Sequence, residues 1–194
     1  METVTISGME PTDSSKIVQA RIKKLFREKS ATALIKMSQK NDILVKDTIS
    51  DLKVMGHWMS LISISAEQFH ITFKIQFSMD TARNLVAKSD KSTISNSYSK
   101  DFIRELCNVI GGDIKFAFVQ NNMNVGISLP LLCRGFDDLF FASSERKSSM
   151  CDRWSLAHKE NIIYCSSVMN ITGDLKLQEN FGENSSAAGE VEFF

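Results

Sequence analysis

Asp101, Glu105 and Asn108 combine the side-chain types and the spacing best suited to chemistry in this chain. In a helix they stand at i, i+4 and i+7, within an arc of roughly 60° at about 100° per residue. The carboxamide of Asn108 can donate to and accept from a water without adding charge, and the two carboxylates beside it are acceptors for a partner's donors or cations. Gly112, at i+11, falls on the same side, where a missing side chain lets another backbone approach closely. A solvated helix face is the competing reading, because amphipathic helices ordinarily carry Asp, Glu and Asn outward. Against it, an Asn inside a helix costs about 0.5 kcal/mol and each Gly of Gly111-Gly112 about 1 kcal/mol relative to Ala. The cysteines (Cys107, Cys133, Cys151, Cys165) and histidines (His57, His70, His158) are scattered, with no C-x-x-C pair. They are therefore expected to hold no metal and to be reduced thiols in a reducing compartment.

The residues around the trio must form a helix for this face to exist. From about Tyr98 to about Gln120 the apolar residues recur at helical spacing, with Phe102, Ile103, Leu106, Val109 and Ile110 on the arc opposite the trio. A second long amphipathic helix is predicted from Lys16 to about Lys40, on Ile17, Val18, Ile22, Leu25, Phe26, Ala33, Leu34 and Met37, with N-cap candidates at 12–15. Ile71, Phe73, Ile75 and Phe77 alternate with polar residues and predict a half-buried strand. With His57–Ser65 before it and a turn at 66–68, it reads as a hairpin. A short helix is predicted at Asp80–Ala87, an exposed Ser-rich loop at Lys88–Ser97, and a strand at Val125–Leu129 stopped by Pro130. A mixed loop at 136–149 precedes strands at Cys151–Ala157 and Ile162–Met169. Trp58 and Trp154 fall in strand-like segments and are expected to pack rather than to bind a ligand. The order helix, strands, helix, strands predicts an α+β domain, with long amphipathic helices packed on an antiparallel sheet, and hints at a duplicated unit.

Composition bounds the partners. The 194 residues are 43% hydrophobic and 24% charged, which is enough for a core. Lys plus Arg is 23 and Asp plus Glu is 23, so the net charge is zero and nucleic acid is not expected as a partner. The N-terminus has no basic start or apolar run, and no apolar stretch approaches about 20 residues. The chain is expected to be cytoplasmic and not inserted in a membrane. Residues 1–14 read as a flexible lead-in, 15–171 as the domain, and 172–194 as a flexible acidic tail. The tail's Glu190-Val-Glu-Phe-Phe194 is either a docking peptide for a partner or a plain disordered end.

The second helix resembles the signature of the CheC/CheX/FliY chemotaxis phosphatases. Their pattern is an Asp or Ser, three residues, Glu, two residues, Asn, twenty-one residues, then Pro. Here three residues separate Asp101 from Glu105, two separate Glu105 from Asn108, and twenty-one separate Asn108 from Pro130. Glu-Leu-Cys-Asn-Val-Ile-Gly-Gly and Val-Gly-Ile-Ser-Leu-Pro also resemble the family's helix and following strand. CheC and FliY carry two such helices and CheX one. On the first helix the equivalent place reads as Glu28 followed by Ala31, without the Asn, so the chain looks most like CheX.

The resemblance implies a substrate, the phosphorylated aspartate of a CheY-like response regulator. An acyl phosphate already has a good leaving group, so the remaining tasks are to hold a water in line and to stabilise charge. By resemblance Asn108 positions the water, Glu105 pairs with the regulator's active-site Lys, and Asp101 supports the contact from one turn back. Gly112 leaves room, and Pro130 ends the strand beside the helix. The chain is expected to need no cofactor of its own, the Mg2+ belonging to the regulator. A homodimer is implied. The alternatives are a non-catalytic adaptor of the same fold, binding a regulator or a flagellar-switch protein, and a structural protein related to that switch.

Overall fold

A computed structural model describes residues 13–48, 56–86, 94–137, 149–173, 175–178 and 181–182. Helix α1 spans Asp13–Ser38 and is followed by strand β1 (Leu44–Asp47) and the hairpin β2 (Trp58–Ala66) and β3 (Phe69–Phe77). Helices α2 (Met79–Leu85) and α3 (Asn96–Gln120) come next. The short strands β4 (Gly126–Ile127) and β5 (Leu131–Arg134) then lead to a second hairpin, β6 (Met150–His158) and β7 (Asn161–Ile171). The seven strands form one sheet in the order β1-β6-β7-β3-β2-β4, with β5 also on β2. Every pairing is antiparallel.

The alternation in the sequence decides which face of the sheet is covered. Phe69, Ile71, Phe73, Ile75 and Phe77 of β3 are all buried, as are Ile62 and Ile64 of β2, Trp154 and Leu156 of β6, and Ile163, Cys165 and Met169 of β7. Onto this face α1 lays Ile22, Leu25, Phe26 and Leu34, and α3 lays Ile103, Leu106, Ile110, Ile114 and Phe118. Phe26, Phe73 and Trp154 meet with ring centroids 5.5 to 6.3 Å apart, within the range where aromatic pairs add to area burial. The predicted α+β architecture is the one observed.

The hint of duplication has a structural basis. The hairpin of 58–66 and 69–77 recurs 92 residues later as 150–158 and 161–169. The central register, with Phe73 opposite Ser167 and Ile75 opposite Cys165, maps onto itself under that shift. In the helices, buried Ile22, Leu25, Phe26, Ser30 and Ala33 recur 81 residues later as Ile103, Leu106, Cys107, Gly111 and Ile114. Ser30 and Gly111 are the small residues at which each helix meets its sheet. Trp154 Nε1 donates to Ser30 Oγ at 3.0 Å, and a Cβ on Gly111 would stand 2.9 Å from Ile62. Ile62 and Trp154 are themselves related by the shift of 92.

This correspondence corrects the expected equivalent site on α1. The positions matching Glu105 and Asn108 are Lys24 and Arg27, not Glu28 and Ala31. Glu28 and Ala31 would match only if α1 were shifted by one turn, which would set Leu34 rather than Ser30 in the place of Gly111 and leave the Ser30–Trp154 contact without its counterpart at Gly111 and Ile62. Arg27 donates from Nε and Nη2 to both carboxylate oxygens of Asp152, each at 2.9 Å, and from Nη1 to Asp47. The hydrogen bond to Asp152 raises the guanidinium further above its ordinary value. The network holds α1 to β6 and to the edge strand β1.

Four other expectations change. β1 and β5 have no counterpart among the expected strands. The strand expected at Val125–Leu129 is only Gly126–Ile127, and Pro130 lies between two strands rather than ending one. α1 takes in Asp13 and Ser14 from the expected lead-in, while residues 1–12 lie outside the described residues. The first part of the expected tail packs on the domain. Leu175 is buried, Leu177 and Phe181 pack against the core, and Phe181 lies 5.1 Å from Phe118. Asn121 Nδ2 donates to Lys176 O at 3.0 Å and its Oδ1 accepts from Gln178 N at 2.8 Å. Arg21 Nη1 donates to Gln178 O at 2.8 Å. Most of the loops expected at 88–97 and 136–149, and Glu190–Phe194, lie outside the described residues.

Two buried thiols make the core sensitive to alkali. Burial pushes Cys107 up to about 12 against an ordinary 9.0, with Ser60 opposing, and pushes Cys165 well above its ordinary value. Both stay protonated in the folded chain after they would ionise in the unfolded one. The contribution of Cys107 is intact below about pH 9 and is lost as pH rises toward 12, at up to about 1.4 kcal/mol per unit, and Cys165 acts in the same direction. Urea midpoints measured from pH 8 to 11 should fall, and Cys107→Ala should flatten the decline.

Candidate functional site

α3 starts two residues earlier than the periodicity predicts because Ser95 caps it, its side chain accepting from Tyr98 N at 3.1 Å. This cap brings Lys100 and Asp101 into the first turns. The inward side of the helix is buried at Ile103, Leu106, Cys107, Ile110 and Ile114, with Phe102 and Val109 packed at its borders. That burial fixes the rotation of α3, so Asp101, Glu105, Asn108 and Gly112 are all on the exposed side. Asn108 Nδ2 faces Glu105 Oε2 at 3.5 Å, the outer limit of a hydrogen bond. Asp101 pairs with Arg104 at 2.9 Å, so its carboxylate is engaged along its own helix.

The two glycines divide the work between them. A Cβ on Gly111 would stand 2.9 Å from Ile62 Cδ1 and 3.0 Å from Ile127 Cδ1, which is where α3 meets β2 and β4. Nothing lies within 4 Å of the place a Cβ on Gly112 would take. Gly112→Ala should therefore stabilise the fold by about 1 kcal/mol through helix propensity, read as a higher urea midpoint. Gly111→Ala should lower it, because Ile62 and Ile127 must shift. If bulk at position 112 also blocks a docking protein, Gly112→Ala will weaken binding while strengthening the fold.

Pro130 belongs to the segment that α3 packs against at Gly111. β4 and β5 on either side of it pair with β2, while Ser128 N donates to Ser63 O at 2.9 Å and Ser128 Oγ accepts from Ser63 N at 3.0 Å. Beside it Leu129, Leu131 and Phe136 are 88, 51 and 62% exposed, an apolar rim that sequence reasoning did not single out. Trp58 is held between Lys100 Nζ at 3.5 Å and Arg134 Cζ at 3.9 Å from its ring. It joins the start of α3 to β2 and β5, and Trp154 lies in the core. No local pattern announces Arg134, which reaches Trp58 only through the β2–β5 pairing. The face as a whole offers a carboxylate, a carboxamide and an open glycine to something that docks from outside. Among the described residues, no group of three or more His, Cys, Asp or Glu could hold a metal ion. No described helix is long and apolar enough to cross a membrane.

No protein-family model matches this sequence, and neither does any curated protein. The three-dimensional comparison is different. The chemotaxis protein CheX of Vibrio vulnificus superposes with a TM-score of 0.60 at 12% identity, over 77% of this chain and 99% of that one. The chain has the CheX/CheC fold. A chain of the CheX–CheY–BeF3–Mg2+ complex from Borrelia burgdorferi gives 0.59 at 14% identity, over 76% and 96% of the two chains. A CheC-like superfamily protein of a Shewanella species gives 0.56 at 13%, over 77% and 97%. In each case the CheX/CheC fold accounts for nearly the whole of the other protein, so what this chain adds lies outside the common fold.

Proposed function

We propose that this protein removes the phosphoryl group from the aspartyl phosphate of a CheY-like response regulator, ending a chemotaxis or two-component signal in the cytoplasm. The observation that carries the reading is the Glu105/Asn108 pair, turned outward on α3 of a CheX/CheC fold with an open Gly112 one turn on. Asn108 enters the regulator's site and holds a water in line with phosphorus, a task for which a short neutral amide on a rigid helix is suited. Glu105 stays off the phosphoryl group, whose charge would repel it, and pairs with a regulator lysine that orients the complex. Asp101 steadies the same face through Arg104. Pro130 holds the turn between β4 and β5. Mg2+ comes with the regulator; a CheX–CheY complex from Borrelia burgdorferi contains BeF3 and Mg2+. Two copies of the chain pair as a homodimer.

The test of recognition is titration of a CheY-type regulator loaded with BeF3 and Mg2+. Saturable binding that Glu105→Lys weakens at least about tenfold, through like-charge repulsion, is the expected result. No binding to any CheY-type regulator, or binding indifferent to Glu105→Lys, would overturn the docking face. Binding without phosphate release would instead select the adaptor.

A further inference from the structure

α1 carries seven basic residues and two acidic ones in a chain whose net charge is zero. Between α1 and β1 lies a groove of about 710 Å³, with Ala20, Ala31 and Val45 as its apolar part and Lys23, Lys24 and Arg27 among its charged lining. Glu28 and Asp152 also line it. Asp152 is taken up by Arg27, and Glu28 lies 3.8 Å from Lys24, so Lys23 and Lys24 face a single remaining carboxylate. This groove occupies the place on α1 that the Glu105/Asn108 face occupies on α3.

We propose that Glu190-Val-Glu-Phe-Phe194 of the same chain docks in this groove, its phenyl rings on Ala20, Ala31 and Val45 and its carboxylates on Lys23 and Lys24. Three observations support the assignment. The segment from 183 to 194 contains three glutamates and no basic residue, the complement of α1. The last described residues lie on α1, since a Cβ on Gly182 would stand 2.9 Å from Leu25 Cδ1 and Arg21 holds Gln178. From Gly182 to Glu190 the chain can reach roughly 26 Å, more than the ~10–12 Å width of the helix it must cross. Joining groove and peptide in one chain gives an effective concentration on the order of millimolar, so a weak site is filled. The proposal does not depend on the phosphatase reading and leaves the α3 face open.

The experiment is zero-length carbodiimide coupling of the full chain, mapped by mass spectrometry on a mixture of isotopically light and heavy protein. Coupling of Glu190 or Glu192 to Lys23 or Lys24 within one chain is expected, with a yield independent of concentration. Phe193→Ser with Phe194→Ser, which keeps every carboxylate and lysine, should lower that yield at least about fivefold as the apolar anchor is lost. Products joining light to heavy chains would assign the groove to a second copy and overturn the proposal. So would coupling that misses Lys23 and Lys24, or a yield unchanged in the phenylalanine variant.

Discussion

Asn108→Ala is expected to lower the stimulated hydrolysis of a regulator's acyl phosphate by at least about 100-fold, the effect of losing one positioned polar group at a reacting centre. The fold should not suffer. Asn108 is exposed, its contact with Glu105 is 3.5 Å long, and Ala is a better helix former by about 0.5 kcal/mol. Binding of the phosphorylated regulator should also persist, since the charged contact comes from Glu105. Asn108→Ala therefore separates turnover from docking. First-order decay constants of the phosphorylated regulator, measured beside circular dichroism and a binding titration, give all three quantities. A folded, binding variant with wild-type decay rates would remove Asn108 from the mechanism.

The largest expected effect on stability is at Arg27. Arg27→Ala should cost about 3 kcal/mol, in the range for breaking a buried ion pair from one side, or roughly 6–12 °C in melting temperature for a chain of this size. The Asp152 side chain is only 6% exposed and would be left with an unpaired charge, and β1 would lose its tie through Asp47. Arg27 also lies 6.0 Å over the ring of Trp154, so the core loses contact area. Combining Arg27→Ala with Asp152→Leu should recover part of the loss by removing the stranded carboxylate. Urea unfolding of the two variants and wild type decides it; equal midpoints for Arg27→Ala and wild type would show the network to be energetically idle.

The long elements were legible because their apolar periods are strong. α3 and the two hairpins stand close to where the residues place them, and the orientation of Asp101, Glu105 and Asn108 follows from the burial of Ile103, Leu106 and Ile110. β1 was not legible. All four of its residues are exposed, and its position depends on Arg27 and Asp47, twenty residues apart. β5 was hidden by Pro130, which reads as a stop but stands before a strand. In the stretch after 171, Gly, Glu and Asn obscured Leu175, Leu177 and Phe181. The duplication was obscured because matched positions differ in type: Ser30 answers Gly111 and Trp154 answers Ile62, so each pair conserves fit rather than identity. Glu28 lies one turn from Lys24 in the same burial phase, and only the sheet contacts of Ser30 and Gly111 select Lys24 as the counterpart of Glu105. The cluster of Trp58, Lys100 and Arg134 follows only from the β2–β5 pairing.

The central claim rests on turnover. The direct measurement is the rate of phosphate release from a phosphorylated CheY-type regulator in Mg2+, with this protein added in substoichiometric amounts. A release rate that rises in proportion to the protein added, with each copy acting many times, is the expected result. A rate equal to the regulator's own at every amount added, while the two proteins still bind, would contradict a phosphatase and leave an adaptor.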